Sequence, residues 1–429
     1  MKSKPKCRVL MLLENNPYPS DLRVRQEANS LVSNGFQVTV IAPGTRSQSY
    51  YENIHGVHVY RYPGPPAGDG CLSYLIEYSW ALSFSFFLTF WVFFRRGFDV
   101  IHAHNPPDLF VLIAMCFRIF GKKFIFDHHD LSPEMYYARF NNQGNRIVFK
   151  TLQFFEILSC RMAHQIIATN ESYKKIEIER AGVPADRVSI VRNGPDISKM
   201  KPVEPDPNVR AKASIILGYL GVIGQQDGVD YLIRSLDYIV KELGITDIHA
   251  IIMGSGSAVP GLKRLTAKLE LEHYISFTGS IPYNDLPRYV SACDICVDPD
   301  PYNPYNDRST MVKMMDYMAM AKPIVAFDLT EHRASAGPAA LYSIRNDIHD
   351  LAKTIVELIK DPQLQNKMGE IGRQRMIEQF AWHHQENQLL KAYANLGFDG
   401  PEKTSPAEKT PPDNSLPPCN STATELVSK

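Results

Sequence analysis

The chain has 429 residues, 44% of them hydrophobic and 21% charged; that length exceeds one ordinary core and suits two soluble domains. Its 46 Lys+Arg are balanced by 46 Asp+Glu, so charge gives no footing for a nucleic-acid partner. The seven cysteines form no disulfide framework, which points to reduced thiols and a cytoplasmic compartment.

The basic N-terminus runs into the apolar stretch 9–13, VLMLL. It is too short for a signal-peptide core and reads as a first buried strand over 8–13. A helix is predicted over 21–34, capped by Ser20 or Asp21 and stopped at Asn34-Gly35. Strands follow at 36–42 and 57–61, then a loop at 63–70. Residues 78–94 carry no charge and precede Arg95-Arg96. Their length sits at the lower edge of a membrane span. A span would separate the first strands from the rest of their sheet, so a buried or membrane-surface helix is expected over 72–94. A strand at 99–102, a helix at 108–120, a strand at 123–127, a helix at 147–163 and a strand at 165–169 complete the half. Short apolar runs alternating with helices are the pattern of a parallel sheet covered on both faces.

The Pro-rich stretch 201–207 reads as a linker, after which the pattern restarts. Strands are expected at 215–220, 249–253, 274–278, 295–297 and 323–327. Helices are expected at 229–243, 262–269, 311–320 and 350–360. The fold class is α/β, with two Rossmann-like doubly wound domains facing an interdomain cleft. Their bounds are 1–200 for an acceptor-side domain and 208–380 for a donor domain. A helix at 381–396 is placed as crossing back to the first domain. The Pro-, Ser- and Thr-rich tail 397–429 reads as disordered.

The strongest local signal is Asn306-Asp-Arg-Ser-Thr-Met-Val-Lys-Met-Met-Asp-Tyr-Met. A loop enters a helix that Ser309 or Thr310 can cap, so the helix N-terminus forms an anion site suited to a diphosphate. Lys313 in the first turn opposes the helix dipole and therefore calls for an anionic partner. It shares a face with Asp316, which can accept hydrogen bonds from ribose hydroxyls; a surface ion pair is the plainer reading. Gly254-Ser-Gly256 lets backbone approach a nucleotide. Cys293-x-x-Cys296 has no second pair and reads as small buried residues at a strand start. Asp298-Pro-Asp300 reads as a structural loop rather than a metal site. His102 and His104 flank a turn with no third ligand in view.

The donor stretch resembles that of family 4 glycosyltransferases, which are retaining enzymes of the GT-B fold. Other stretches resemble the family in chain order: 21–28 (DLRVRQEA), 99–108 (DVIHAHNPPD), 127–134 (DHHDLSPE), 192–196 (RNGPD), 221–230 (GVIGQQDGVD), 254–257 and 277–279. The resemblance implies transfer of a sugar from a nucleoside-diphosphate sugar to a glycan or lipid-linked acceptor, in surface polysaccharide or glycoconjugate synthesis. It implies His129, Asp130 and Lys313 as catalytic residues. Gly221, Gly224, Gly254, Arg308, Ser309, Thr310, Lys313 and Asp316 are the implied donor-binding residues. Asp21, Arg23 and Glu134 lie on the implied acceptor side. No cofactor and no metal are expected, because helix amides and basic residues can hold the leaving diphosphate. A cytoplasmic protein in peripheral contact with the inner face of the membrane through 72–94 is the expected setting.

Two departures stand out. The family's first glutamate position holds Arg308, with Asp307 beside it, and the second holds Asp316. The cations that follow the second-domain opening are absent from Gln225-Gln-Asp-Gly228; Lys313 and Arg308 are left to supply that charge. An epimerase of the same shape and a catalytically degenerate nucleotide-sugar scaffold remain the alternatives.

Overall fold

The computed structural model describes residues 7–45, 47–64, 71–140 and 144–398; most of the expected loop at 63–70 and nearly all of the tail at 397–429 lie outside them. The chain forms two compact units. The first holds the residues up to Met135, Gly144–Val191 and Glu386 onward; the second holds residues 136–140 and Arg192–Gln385. The division thus falls at Val191–Arg192, ahead of the Pro-rich stretch.

In chain order the first unit runs β1 (Arg8–Leu12), α1 (Leu22–Ser33), β2 (Gln37–Gly44), β3 (Tyr51–Ile54), β4 (Val57–Pro63), α2 (Cys71–Arg95) and β5 (Val100–His104). It continues with α3 (Val111–Arg118), β6 (Lys123–His128), α4 (Ser132–Arg139), α5 (Arg146–Met162), β7 (Gln165–Ala168), α6 (Glu171–Glu179) and β8 (Val188–Ile190). The strands form one sheet in the order β3-β4-β2-β1-β5-β6-β7-β8. All described pairings are parallel except β3 with β4. β1 and β2 are apolar along most of their length, and β1, β2 and β5 are almost wholly buried, as strands covered on both faces must be. The sheet does not end at β7, as 165–169 suggested, because α6 and β8 extend it. The helix expected at 108–120 opens as a 3₁₀ turn over Asp108–Phe110 and ends at Arg118.

The second unit opens with α7 (Pro207–Arg210) and β9 (Ile215–Leu220), then α8 (Val229–Lys241), β10 (Ile248–Met253), α9 (Val259–Lys268), β11 (Ile275–Gly279), α10 (Leu286–Ser291) and β12 (Ile295–Asp298). It closes with α11 (Val312–Ala319), β13 (Ile324–Phe327), α12 (Thr330–Ala336), β14 (Ala340–Ser343), α13 (Ile348–Ile359) and α14 (Pro362–Arg375). A last helix, α15 (Trp382–Ala394), carries the chain back into the first unit from Glu386. There Tyr393 packs on Phe36 and its hydroxyl lies 2.9 Å from His102 Nδ1. The six parallel strands run β11-β10-β9-β12-β13-β14, with separate apolar clusters on the two sheet faces. Cys293 and Cys296 are buried free thiols in the second cluster.

In each sheet the strand order reverses once, between β1 and β5 and between β9 and β12. Ligands of doubly wound sheets bind beyond the strand C-termini at such reversals.

Candidate active site

In the second unit the reversal brings together the turn after β9, the end of β12 and the start of α11. Gly221 leaves β9 with φ 151° and Gly254 leaves β10 with φ 144°. A Cβ on Gly254 would lie 1.8 Å from the Gly221 carbonyl oxygen, so Gly254 must be glycine for backbone to pack on backbone, and Gly221 must be glycine for its φ. The Gly224 N–H donates to Asp227 Oδ2 at 2.7 Å, closing the turn that carries the Gln225-Gln226 departure.

Lys313 occupies the second position of α11 and is buried. Its ammonium donates to Asp300 Oδ1 at 2.5 Å, stands 3.3 Å from Asp298 Oδ1, and lies over the Tyr219 ring. Burial disfavours the ammonium, but Asp298 and Asp300 outweigh it and hold its pKa well above the usual range. The anionic partner that the helix dipole required is therefore this aspartate pair. The surface ion pair with Asp316 is not formed, and Asp298-Pro-Asp300 is a loop whose two carboxylates hold the Lys313 ammonium. Burial raises the Asp316 carboxyl to about 7.

Neither Ser309 nor Thr310 caps α11. The helix starts at Val312 after an extended Met311, with no side-chain cap. Ser309 Oγ donates to the Tyr305 carbonyl at 2.9 Å. Thr310 Oγ1 donates to Glu331 Oε2 at 3.3 Å and accepts from Arg192 Nη1 at 3.4 Å. Arg192 stands 3.8 Å from the same Glu331 oxygen. This Arg192–Thr310–Glu331 group, ahead of α11, was missed in the sequence; its signal was the basic residue of Arg192-Asn-Gly. Asp307, beside the family's first glutamate position, accepts the Thr330 N–H at 2.9 Å and the Thr330 hydroxyl at 3.1 Å at the start of α12. Arg308 is half-buried in the same turn. Asn306 ties that turn down through the Gln226 and Pro301 carbonyls.

In the first unit Asp21 is the α1 cap, accepting the Val24 N–H at 2.9 Å. Arg23 is not an exposed acceptor-side residue. It is buried, with Nε and Nη2 each 2.8 Å from the two Asp127 oxygens and Nη2 3.2 Å from Glu27 Oε1. His104 Nδ1 lies 3.1 Å from Asp127 Oδ2, and His102 Nε2 lies 3.6 Å from the same oxygen. His102 and His104 do not flank a turn: they lie two apart on β5, so their side chains share one face of the sheet, where Glu27 and Asp127 are carboxylate partners invisible in local spacing. Burial, then the neighbouring His104, lowers His102 to about 4, so it is neutral at pH 7.

His129 Nδ1 lies 3.5 Å from Asp127 Oδ1. The loop that carries His129 and Asp130 is held by Asn105, whose Oδ1 accepts both their N–H groups at 2.8 and 3.1 Å. Glu134 is buried against Arg180, which also donates to Glu156 at 2.9 Å. It anchors α4.

Two groups carry divalent-metal ligand types within 4.8 Å of one another: Glu27, His102, His104 and Asp127, and Asp298, Asp300 and His332. Each already contains a cation of the protein, Arg23 in one and Lys313 in the other.

Two sheets with C-terminal reversals and an α11 mouth bearing Arg192 define a two-domain α/β glycosyltransferase of the GT-B class. The profile described as Glycosyltransferase Family 4 matches residues 22–199, and that of Glycosyl transferases group 1 matches residues 214–361; the chain belongs to family 4 of the glycosyltransferases. An uncharacterised glycosyltransferase of Methanocaldococcus jannaschii is 25% identical over 317 residues, covering 70% of this chain and 73% of that protein. Sucrose-phosphate synthase from Thermosynechococcus elongatus shares the fold with a TM-score of 0.75 at 18% identity, over 91% of this chain and 99% of that one. Anabaena HepE in complex with UDP-glucose gives 0.66 at 18% identity, over 90% and 99%.

Proposed function

We propose that this chain transfers a sugar, with retention at the anomeric carbon, from a nucleoside-diphosphate sugar to a glycan or lipid-linked acceptor in surface polysaccharide or glycoconjugate synthesis. The observation that carries the reading is the Arg192–Thr310–Glu331 group ahead of α11. Cleaving the anomeric C–O bond leaves negative charge on the diphosphate. The first-turn amides of α11 stabilise that charge, and the Arg192 guanidinium supplies the cation missing after Gly224. Asp316 accepts from the ribose hydroxyls. Gly221 and Gly254 let the backbone approach the nucleotide. His129 and Asp130 are assigned to the chemistry of the transferred sugar.

On this reading no metal takes part: Arg192 is the cation offered to the diphosphate, while Lys313 is held by Asp298 and Asp300. The structures of HepE with UDP-glucose make uridine diphosphate the first nucleotide to test. Peripheral contact with the inner face of the membrane through 72–94 belongs to the same reading.

The test is calorimetric titration of the protein with UDP, GDP, ADP and their sugar conjugates, with chelator and without. Binding of one series that weakens in Arg192→Ala and Asp316→Asn, and is indifferent to chelator, supports it. A folded protein that binds none of them would sink the donor assignment and leave a degenerate scaffold. Lys313→Ala is a poor probe, because it strands Asp298 and Asp300 without a cation.

A further inference from the structure

Helix α2 is amphipathic in the wrong sense for a surface facing water. From residue 76 onward its fully buried positions are Ala81, Ser85, Thr89 and Val92, small, β-branched or hydroxylated. Its most exposed apolar positions are Phe87, Trp91 and Phe94, at 71%, 56% and 81%, beside the exposed Ser79, Ser83 and Arg95. A water-facing helix places these the other way round. Two neighbouring elements repeat the pattern. Ile119 and Phe120, just after α3, are 85% and 56% exposed, and Ile147 and Phe154, on one face of α5, are 75% and 58% exposed.

The three helices form one layer. An apolar groove of about 330 Å³ between α2 and α3 is lined by Phe86, Phe87, Leu112 and Cys116. Phe90 packs on Phe117 at 4.7 Å, and Phe93 on Phe120 at 5.4 Å. Arg118 of α3 donates to the Met162 carbonyl at the end of α5. Apolar side chains exposed over so wide a face mark an interaction surface.

The charges on this layer choose the partner. No Asp or Glu occurs in 78–96, 111–123 or 146–155, whereas Arg95, Arg118, Arg146 and Lys150 are exposed there. Arg95 lies over the Trp91 ring at 5.8 Å, which sets a cation and an indole at one level, as at a headgroup boundary. A second copy of the chain docking by the same face would bring like charges together. A full crossing by 76–95, which is long and apolar enough by composition, would pull the small buried face of α2 off its sheet. It would also break the hydrogen-bonded run β4-β2-β1-β5 that brackets it.

We infer that the outer faces of α2, α3 and α5 form one docking surface for an anionic lipid bilayer, with the α2–α3 groove open to a hydrocarbon chain. This widens the contact of the single helix at 72–94 to a three-helix platform, and it stands apart from the donor-site assignments.

The experiment is flotation of the full chain with vesicles of pure phosphatidylcholine and of phosphatidylcholine with 30% phosphatidylglycerol. Binding to the anionic vesicles at least tenfold tighter than to the neutral ones, and weakened by salt, is the expected result. The exposed triple variant F87S/W91S/F94S loses binding, and I119S/I147S/F154S weakens it at least tenfold. Nucleotide titration of both variants reports that they are folded, separately from docking. Equal binding to both vesicle types, or full binding by I119S/I147S/F154S, overturns the platform. So does a wild-type protein that ignores vesicles and instead dimerises through this face in ultracentrifugation, as judged by a monomeric F87S/W91S/F94S.

Discussion

Arg23 and Asp127, far apart in sequence, meet side-on: Nε donates to Oδ2 and Nη2 to Oδ1, each at 2.8 Å, while Nη1 donates to the Val191 carbonyl. The pair is buried, and Glu27 lies 3.2 Å from the same Nη2. Two carboxylates therefore depend on one cation, with His102 and His104 around them. Truncating one partner of a buried pair leaves an uncompensated charge, at a cost of about 3–5 kcal/mol. Arg23→Ala should lower the denaturant midpoint by an amount in that range. The double variant Arg23→Met/Asp127→Leu should recover part of the loss, whereas a midpoint unchanged by Arg23→Ala would show that the network carries little stability.

The Arg192–Thr310–Glu331 group makes a second expectation. Arg192→Ala should weaken nucleoside-diphosphate binding by ~10- to 100-fold, the usual scale for one charge-assisted contact. Thr310→Val should cost less, because the guanidinium remains. Glu331→Gln removes the carboxylate that holds Arg192 and should weaken binding without abolishing it. Titration calorimetry separates the three. Equal affinity in wild type and Arg192→Ala would move the phosphate elsewhere.

How much of this was open to reading along the chain differs between backbone and site. The buried parallel strands carry near-continuous apolar runs, so β1, β2, β9 and β10 are legible within a residue or two. The exposed edge strand β3 (YENI) has no such run, and α6 (ESYKKIEIE) is too short and polar to announce itself. Gly-rich turns at 221 and 254 were readable because only glycine tolerates their backbone. The ion groups were not. Lys313 could be seen to lack an anion, but Asp298 and Asp300 reach it only through the β12–α11 packing. Glu27 comes to His104 only because β1 and β5 are neighbours in the sheet. The missing cap on α11 has a local cause: Ser309 is engaged with Tyr305 and Thr310 with Glu331, so neither hydroxyl is turned to the helix amides.

Asp316 yields a pH prediction. Burial alone raises its carboxyl to about 7, and only the ionised form accepts hydrogen bonds from both ribose hydroxyls. Nucleotide affinity should therefore hold above pH 7 and fall by up to ~10-fold for each pH unit below it. Asp316→Asn should bind more weakly at pH 8 and show a flat profile through this window. A wild-type profile that is flat between pH 6 and 8 would remove Asp316 from the ribose contact.

His128 sets the stability of the first unit at alkaline pH. Its Nδ1 lies 2.9 Å from Glu177 Oε1, its Nε2 lies 3.9 Å from Glu156 Oε2, and Phe126 and Tyr173 pack on the ring. Burial opposes the charge, but the Glu177 hydrogen bond and the charges of Glu177, Glu156 and Asp108 outweigh it and hold the imidazolium up to about 9. The folded chain therefore binds a proton that the unfolded chain releases near its ordinary value of 6.5. Between those values the unfolded state carries fewer protons, so stability falls as pH rises. The contribution is complete below about 6.5 and lost above about 9, and it is worth on the order of 3 kcal/mol. Urea unfolding of the wild type should show the midpoint falling across that window. His128→Asn should start from a lower midpoint at pH 6 and fall less than the wild type up to pH 9, the remaining fall coming from the buried Glu14 carboxyl, raised to about 8. Glu177→Gln should keep the step but shift it to lower pH, because the imidazolium then loses its nearest anion. Parallel curves for wild type and His128→Asn would place the alkaline sensitivity in some other group.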